Sequence, residues 1–257
     1  MNKKLKYIIA LSFVCALILV FYACKREFRS EIDGNETSQI RTRSGEGELV
    51  WNFPVQYGTP EWATLKTVEE QYNAYNIPAE ILQSISTEEL VKVCLAYPEW
   101  GLINAYNSRR AGFAVLVNLF NGFRELYERE DAAIELLKEY KRLDPLAVES
   151  DWEPLQQGRY SFQFTKIEMF FNFRRMIDKL DNAGIRNLKE TVISKYEMKK
   201  MLPNIYSLWD FSPTVGVYLN IIEKENAAIL ENVPDINYFR YYLMSENIEF
   251  LDYIIKL

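Results

Sequence analysis

Histidine is absent from all 257 residues. Without imidazole the chain cannot build a Ser-His-Asp triad or a Cys-His pair, since both use it as general base. The commonest zinc and iron ligand is missing as well. Cysteine is scarce: Cys15 and Cys24 lie in or beside the N-terminal apolar run, and Cys94 lies far from both. If Cys24 carries a lipid and the segment before it is removed, Cys94 stands alone and no disulfide forms within the mature chain. No Asp-x-Asp-x-Asp loop offers a calcium site. No alternating series is long enough to read as a strand, and no constant repeat period emerges. No metal and no cofactor is expected. Positive charge is also short: the chain carries −6, and loss of residues 1–23, which hold Lys3, Lys4 and Lys6 and no acid, leaves −9. An acidic chain argues against nucleic acid as a partner, because that surface demands clustered positive charge.

What is abundant is apolar and aromatic surface, at 49% and 14% of residues. That is far too rich for disorder, and 257 residues are enough for one sizeable core or two small ones. The first apolar run, Tyr7 to Ala23, carries no charge, follows the basic Met1–Lys6 and ends at Cys24. These are the parts of a signal peptide. Val20-Phe21-Tyr22-Ala23-Cys24 is similar to a lipobox, with Ala23 as the small residue before the cut, although Phe21 and Tyr22 are bulkier than usual there. The alternative is an uncleaved anchor. As a helix this run spans about 26 Å against a hydrocarbon core of about 30 Å, and Lys25, Arg26 and Arg29 then fall on the wrong side for the positive-inside rule. The reading is therefore a lipoprotein signal peptide over residues 1–23, lipid attachment at Cys24, a flexible polar linker over 24–48 and a helical domain over 49–257. The address is the cell envelope, in the outer membrane, facing the periplasm or the surface.

Within the domain, Leu49 to Tyr57 reads as an extended lead-in and helical signals follow. Thr59-Pro60-Glu61 predicts a helix to about Tyr75. Pro78 opens a short helix through Gln83. Ser86-Thr87-Glu88-Glu89 reads as a capping box, with Leu90, Val93, Cys94 and Tyr97 at helical spacing before Pro98. Phe113, Leu116, Phe120, Phe123 and Tyr127 form the next face, with Gly122 as a point of bending. Asp131 is the expected cap of a helix toward Arg142. Asp151 to Tyr160 reads as a loop. Met169, Phe173, Met176 and Leu180 form another face, Gly184 a break, and Ile185, Leu188, Val192 and Tyr196 a further face. Ser212-Pro213 predicts a helix through Leu230, and two short helices follow Pro234 and Ser245. The fold class is all-α: an antiparallel helical bundle or an irregular α-solenoid.

The stretch Asn76-Ile-Pro-Ala-Glu-Ile-Leu-Gln-Ser-Ile-Ser-Thr-Glu-Glu-Leu-Val-Lys-Val-Cys-Leu-Ala-Tyr-Pro98, with Ala105-Tyr-Asn107, Gly112-Phe113 and Asn118 to Leu126, resembles a family of uncharacterised exported lipoproteins of Bacteroidetes. The resemblance spans roughly residues 51–140. It implies export and lipidation and assigns no chemistry, so no functional residue is carried over.

No catalytic residue stands out. Cys94, among Leu90, Val91 and Leu95, reads as a buried structural thiol with nothing nearby to lower its pKa. Glu69, Glu70, Glu88, Glu89, Glu128, Glu130 and Asp131 contain enough carboxylates for a glycosidase pair, but their places in first turns and on solvated faces suit caps and dipoles. Arg109-Arg110, Arg174-Arg175 and Lys199-Lys200 read as solvated pairs. Trp152 in a loop, and Tyr238, Tyr241 and Tyr242 beside Phe239 on a short helix, are the candidate binding aromatics, weighed against plain core filling. The balance favours a membrane-tethered, non-enzymatic binding or assembly protein with an envelope protein or glycan as partner. The alternative is a carboxylate-based hydrolase acting on glycans.

Overall fold

A computed structural model of the chain describes residues 50–149 and 151–257. The segments read as signal peptide and linker, with Cys24, lie outside the described residues. Among the described residues the regular structure is all helical: twelve α-helices, four 3-10 segments and no strand. None of these helices is long and apolar enough to cross a membrane.

Capping chemistry decides where the helices start, and it corrects several expectations. Thr59-Pro60-Glu61 does not open a long helix. It leads into a 3-10 turn, Trp62–Thr64, and α1 (Val68–Asn73) waits for Thr67. The Thr67 hydroxyl accepts from Glu70 N at 3.1 Å, and the Glu70 carboxylate accepts from Lys66 N and Thr67 N at 2.6 and 3.0 Å. That reciprocal box satisfies more orphan donors than Thr59 can. After α2 (Ala79–Ser84), the predicted box opens α3 (Thr87–Leu95): Ser86 Oγ accepts from Glu89 N at 3.2 Å and Glu89 accepts from Ser86 N at 3.3 Å. The face it directs inward holds Leu90, Val93 and Cys94 at 0% exposure.

The Phe113-to-Tyr127 face is one face of two helices, α4 (Arg109–Leu119) and α5 (Asn121–Glu128). They are separated by Phe120 in an extended conformation, φ −114° and ψ 123°. Glycine is required at 122, because a Cβ there would stand 2.5 Å from the Phe120 ring. Asn121 fixes the junction. Its amide accepts from Ile77 N at 2.9 Å and donates to Ile77 O at 2.8 Å, while its own N–H donates to Asn76 Oδ1 at 3.0 Å.

The chain continues through α6 (Ala132–Arg142), α7 (Pro154–Phe171), α8 (Arg174–Ile177), α9 (Asn182–Lys200), α10 (Leu208–Asn226), α11 (Ile236–Tyr242) and α12 (Ile248–Ile254). The expected loop from Asp151 to Tyr160 is mostly helix, since Glu153 and Gln156 form a box and Pro154 takes the first helical position, where its missing N–H costs nothing. Gly184 is no break: Asp181 Oδ1 accepts its N–H at 2.7 Å, placing it in the first turn of α9. Nor does α10 begin at Ser212-Pro213. A Ser207–Asp210 box starts it earlier and leaves Pro213 inside the helix.

The 3-10 segment Pro98–Ala105, α4 and α5 meet α7 through a knot of four rings. Trp100, Phe113, Phe123 and Phe170 make all six mutual contacts, with centroids 5.0 to 5.8 Å apart. Behind it, α10 runs between α7, α9 and α12, and every residue from Phe211 to Ile222 is buried. The Cys94 thiol lies in this core, and its burial pushes its pKa up. Thiol reagents should therefore label the folded protein only through unfolding. Cys94→Ser should cost about 1–3 kcal/mol, the mutational range for burying a hydroxyl without a partner, and Cys94→Ala less. Rapid labelling together with equal denaturant midpoints for the two variants would contradict the packing.

Candidate functional site

A polar assembly surrounds Pro213. Proline has no N–H, so the Trp209 carbonyl one turn earlier loses its helical donor. The Arg109 guanidinium donates to that carbonyl instead. Its carbon also sits 5.0 Å from the Trp209 ring centroid, a cation–π distance. In the same turn, Asp210 O receives Lys199 Nζ at 3.1 Å and lies 3.2 Å from the Thr214 hydroxyl oxygen. Asn172 Nδ2 donates to Pro213 O at 2.9 Å.

Lys199 and Glu168 form the centre. Their side chains are both 0% exposed and meet at 2.9 Å. Glu168 Oε1 also accepts from Tyr140 OH at 2.7 Å and Thr214 Oγ1 at 2.8 Å, whereas Oε2 has no hydrogen bond. All the donors converge on one oxygen, deep between α6, α7, α9 and α10. The partners of Glu168 are a lysine, a tyrosine and a threonine on three other helices, so the cluster ties α6, α7, α9 and α10 together. The reading of Lys199-Lys200 and Arg109-Arg110 as solvated pairs is thereby corrected. Arg109 is partly buried, and desolvation lowers its pKa while Asp210 and Glu168 oppose that shift. Arg110 stacks on Phe173 at 4.8 Å and donates to Asn172 O at 3.0 Å. Elsewhere on α7, Lys166 Nζ donates to Leu95 O at 2.8 Å, and burial pushes its pKa down to about 8.

The acids considered for a hydrolytic pair are spread over helix starts and surface ion pairs. Glu70 and Glu89 complete caps. Glu88 pairs with Lys92 at 3.0 Å, and Glu128 with Arg175 at 2.7 Å. Asp131 stands at the N-cap of α6, but its side chain makes no cap bond; it accepts the Thr87 hydroxyl at 2.7 Å and so ties α3 to the start of α6. Among the described residues no group of three or more His, Cys, Asp or Glu could hold a metal ion.

The predicted aromatics separate into two places. Tyr238 and Tyr241 are 56% and 59% exposed on α11. Tyr242 lies between them, its ring 4.4 Å from Tyr238 and 4.8 Å from Tyr241. The buried Phe239 anchors this helix on Phe250, centroids 5.6 Å apart. Trp152 does not join the group. It is partly buried and edge-on to Tyr160 at 5.5 Å. Sequence reasoning missed Trp209, which is 51% exposed. It lines an open groove of about 300 Å³ with Ser207, Leu208, Met244, Ser245 and Glu246. The signal was its place in the first turn of α10, before the apolar stretch begins at Phe211. The tyrosines and the groove wall are neighbours along the chain, joined by Leu243 in the left-handed conformation, φ 49°.

Comparison of the chain with family models, with curated proteins and with solved structures found no match.

Proposed function

We propose that the chain is a membrane-tethered, non-enzymatic binding or assembly lipoprotein of the bacterial cell envelope, held in the outer membrane through a lipid on Cys24. Its relatives on this reading are the exported Bacteroidetes lipoproteins whose pattern residues 76–126 resemble. The observation that carries the binding role is the exposed aromatic surface of α11 and Trp209. Tyr and Trp join a flat apolar face to a polar edge and are enriched where proteins meet partners. The buried ionisable groups are meanwhile engaged in holding helices together. The tether reading is supported by the basic start, the uncharged run and Cys24.

Two measurements test the two halves separately. Cys24→Ser should abolish incorporation of a fatty-acid analogue and block maturation; continued labelling of that variant overturns the lipid site. Crosslinking in intact cells followed by capture should recover a discrete partner with the wild type, and lose it with Tyr238→Ala, Tyr241→Ala. Equal capture by the double variant removes the tyrosine surface from the binding role.

A further inference from the structure

We propose that the groove beside Trp209 receives one cationic side chain, a lysine or an arginine, from a basic segment of a partner polypeptide. This rests on the reading of the chain as a binding protein and names the chemistry of what it binds. The groove's walls are mostly apolar: Leu208, Trp209 and Met244 supply a surface for a long aliphatic stem. Its volume of about 300 Å³ is at the small end for ligand pockets, which suits a single side chain. The serine hydroxyls on its wall are already engaged, Ser207 with Asp210 at 2.8 Å and Ser245 with Asn247 O at 3.2 Å. An anion would therefore find no ready donor, and a sugar would find few polar partners. What remains is Glu246, exposed and the single ionised side chain on the lining.

A cation placed there meets a carboxylate and the open part of an indole ring, two sources of attraction for the same charge. Arg109 covers part of that ring. It is tied to Trp209 O and to Asn104 Oδ1 at 3.2 Å, so its own hydrogen bonds fix where it lies on the ring. Arg109 thus braces the indole. The chain segment that carries Glu246 has the same sign. Glu231, Asp235 and Glu249 are exposed, and the one base between residues 231 and 249, Arg240, is paired with Glu223 at 3.3 Å. Exposed acids along this segment attract basic polypeptides.

The test uses the full-length chain in detergent, titrated with a deca-lysine peptide, a deca-glutamate peptide and cellohexaose, and read by calorimetry and tryptophan fluorescence. The basic peptide should bind, with affinity falling as salt rises, and the other two should not. Glu246→Gln and Trp209→Ala should each weaken binding about tenfold, as loss of roughly 1.4 kcal/mol implies. Trp209→Tyr should retain most of it, which separates loss of the ring from loss of the fold. Binding of deca-lysine that ignores all three substitutions is general attraction to an acidic protein and overturns the groove. Preference for the saccharide or the acidic peptide overturns the assignment of charge. If crosslinked capture persists in Glu246→Gln and Trp209→Ala, the binding role stands and the groove falls; if the wild type captures nothing, the binding role itself falls.

Discussion

Lys199→Met is expected to lower the free energy of unfolding by about 3–5 kcal/mol, the range seen when one partner of a buried ion pair is removed. The loss exceeds that of a single hydrogen bond because of what remains. Glu168 would be left in a site with 0% exposure, held only by Tyr140 and Thr214. The Asp210 carbonyl would lose its Lys199 donor as well. Replacing both charges, as Lys199→Met with Glu168→Leu, should recover a large part of the loss, since a buried pair often contributes little more than an apolar substitute. Recovery should stay incomplete, because the Tyr140 hydroxyl would then be left without an acceptor. Denaturant melts of the two single variants and the double variant form the required cycle. A loss below about 1 kcal/mol for Lys199→Met, the level of an exposed pair, would mean that water reaches Glu168.

Gly112→Ala should cost about 1–3 kcal/mol, in the range for overpacking, even though alanine is the better helix former by about 1 kcal/mol. A Cβ at 112 would stand 2.5 Å from Ile103 O, 2.6 Å from Ile103 Cα and 2.9 Å from Ile103 C. These are backbone atoms, so α4 would have to move away from the 3-10 segment Pro98–Ala105 as a body. Gly158→Ala is the matched control. Its Cβ would meet nothing within 4 Å, on an exposed position within α7. That variant should gain about 0.5–1 kcal/mol from helix propensity and reduced unfolded-state freedom. Thermal melts that fail to separate the two in opposite directions would sink the close-approach explanation.

The helices that were legible in the sequence had a cap and an apolar stripe in agreement. Ser86 with Glu89 located α3, and the stripe Ile185, Leu188, Val192, Tyr196 located α9. Where the two signals competed, the nearer reciprocal cap won, as Thr67 did over Thr59 and Ser207 over Ser212. Gly184 was misread because a glycine at the third helical position differs locally from a helix breaker only through Asp181 before it. The polar core was harder to see. Lys199 continues the α9 stripe by the same three-residue step that leads from Ile185 to Leu188, so its spacing marked it as inward, but its charge argued for the surface. Its counterpart Glu168 lies 31 positions away, and single-segment periodicity carries no information about that pairing. For the surface aromatics, α11 was found from composition, while Trp209 went unnoticed because the helix start had been placed after it.

The repaired turn at Pro213 has a consequence for the order in which this protein can be completed. Arg109, Asn172 and Lys199 supply hydrogen bonds to carbonyls of Trp209, Asp210 and Pro213, and all three donors precede those acceptors in the chain. During synthesis or translocation with the N-terminus leading, the donors emerge first and lack these three acceptors until residues 209–213 arrive. A product ending before α10 would then contain Lys199 and Glu168 without the helix that encloses them, together with the apolar faces of α7 and α9 that α10 covers. Such nascent stages offer a handle for chaperones and proteases that the finished chain withdraws. The segment from α10 onward is thus what closes the polar core that the earlier helices open.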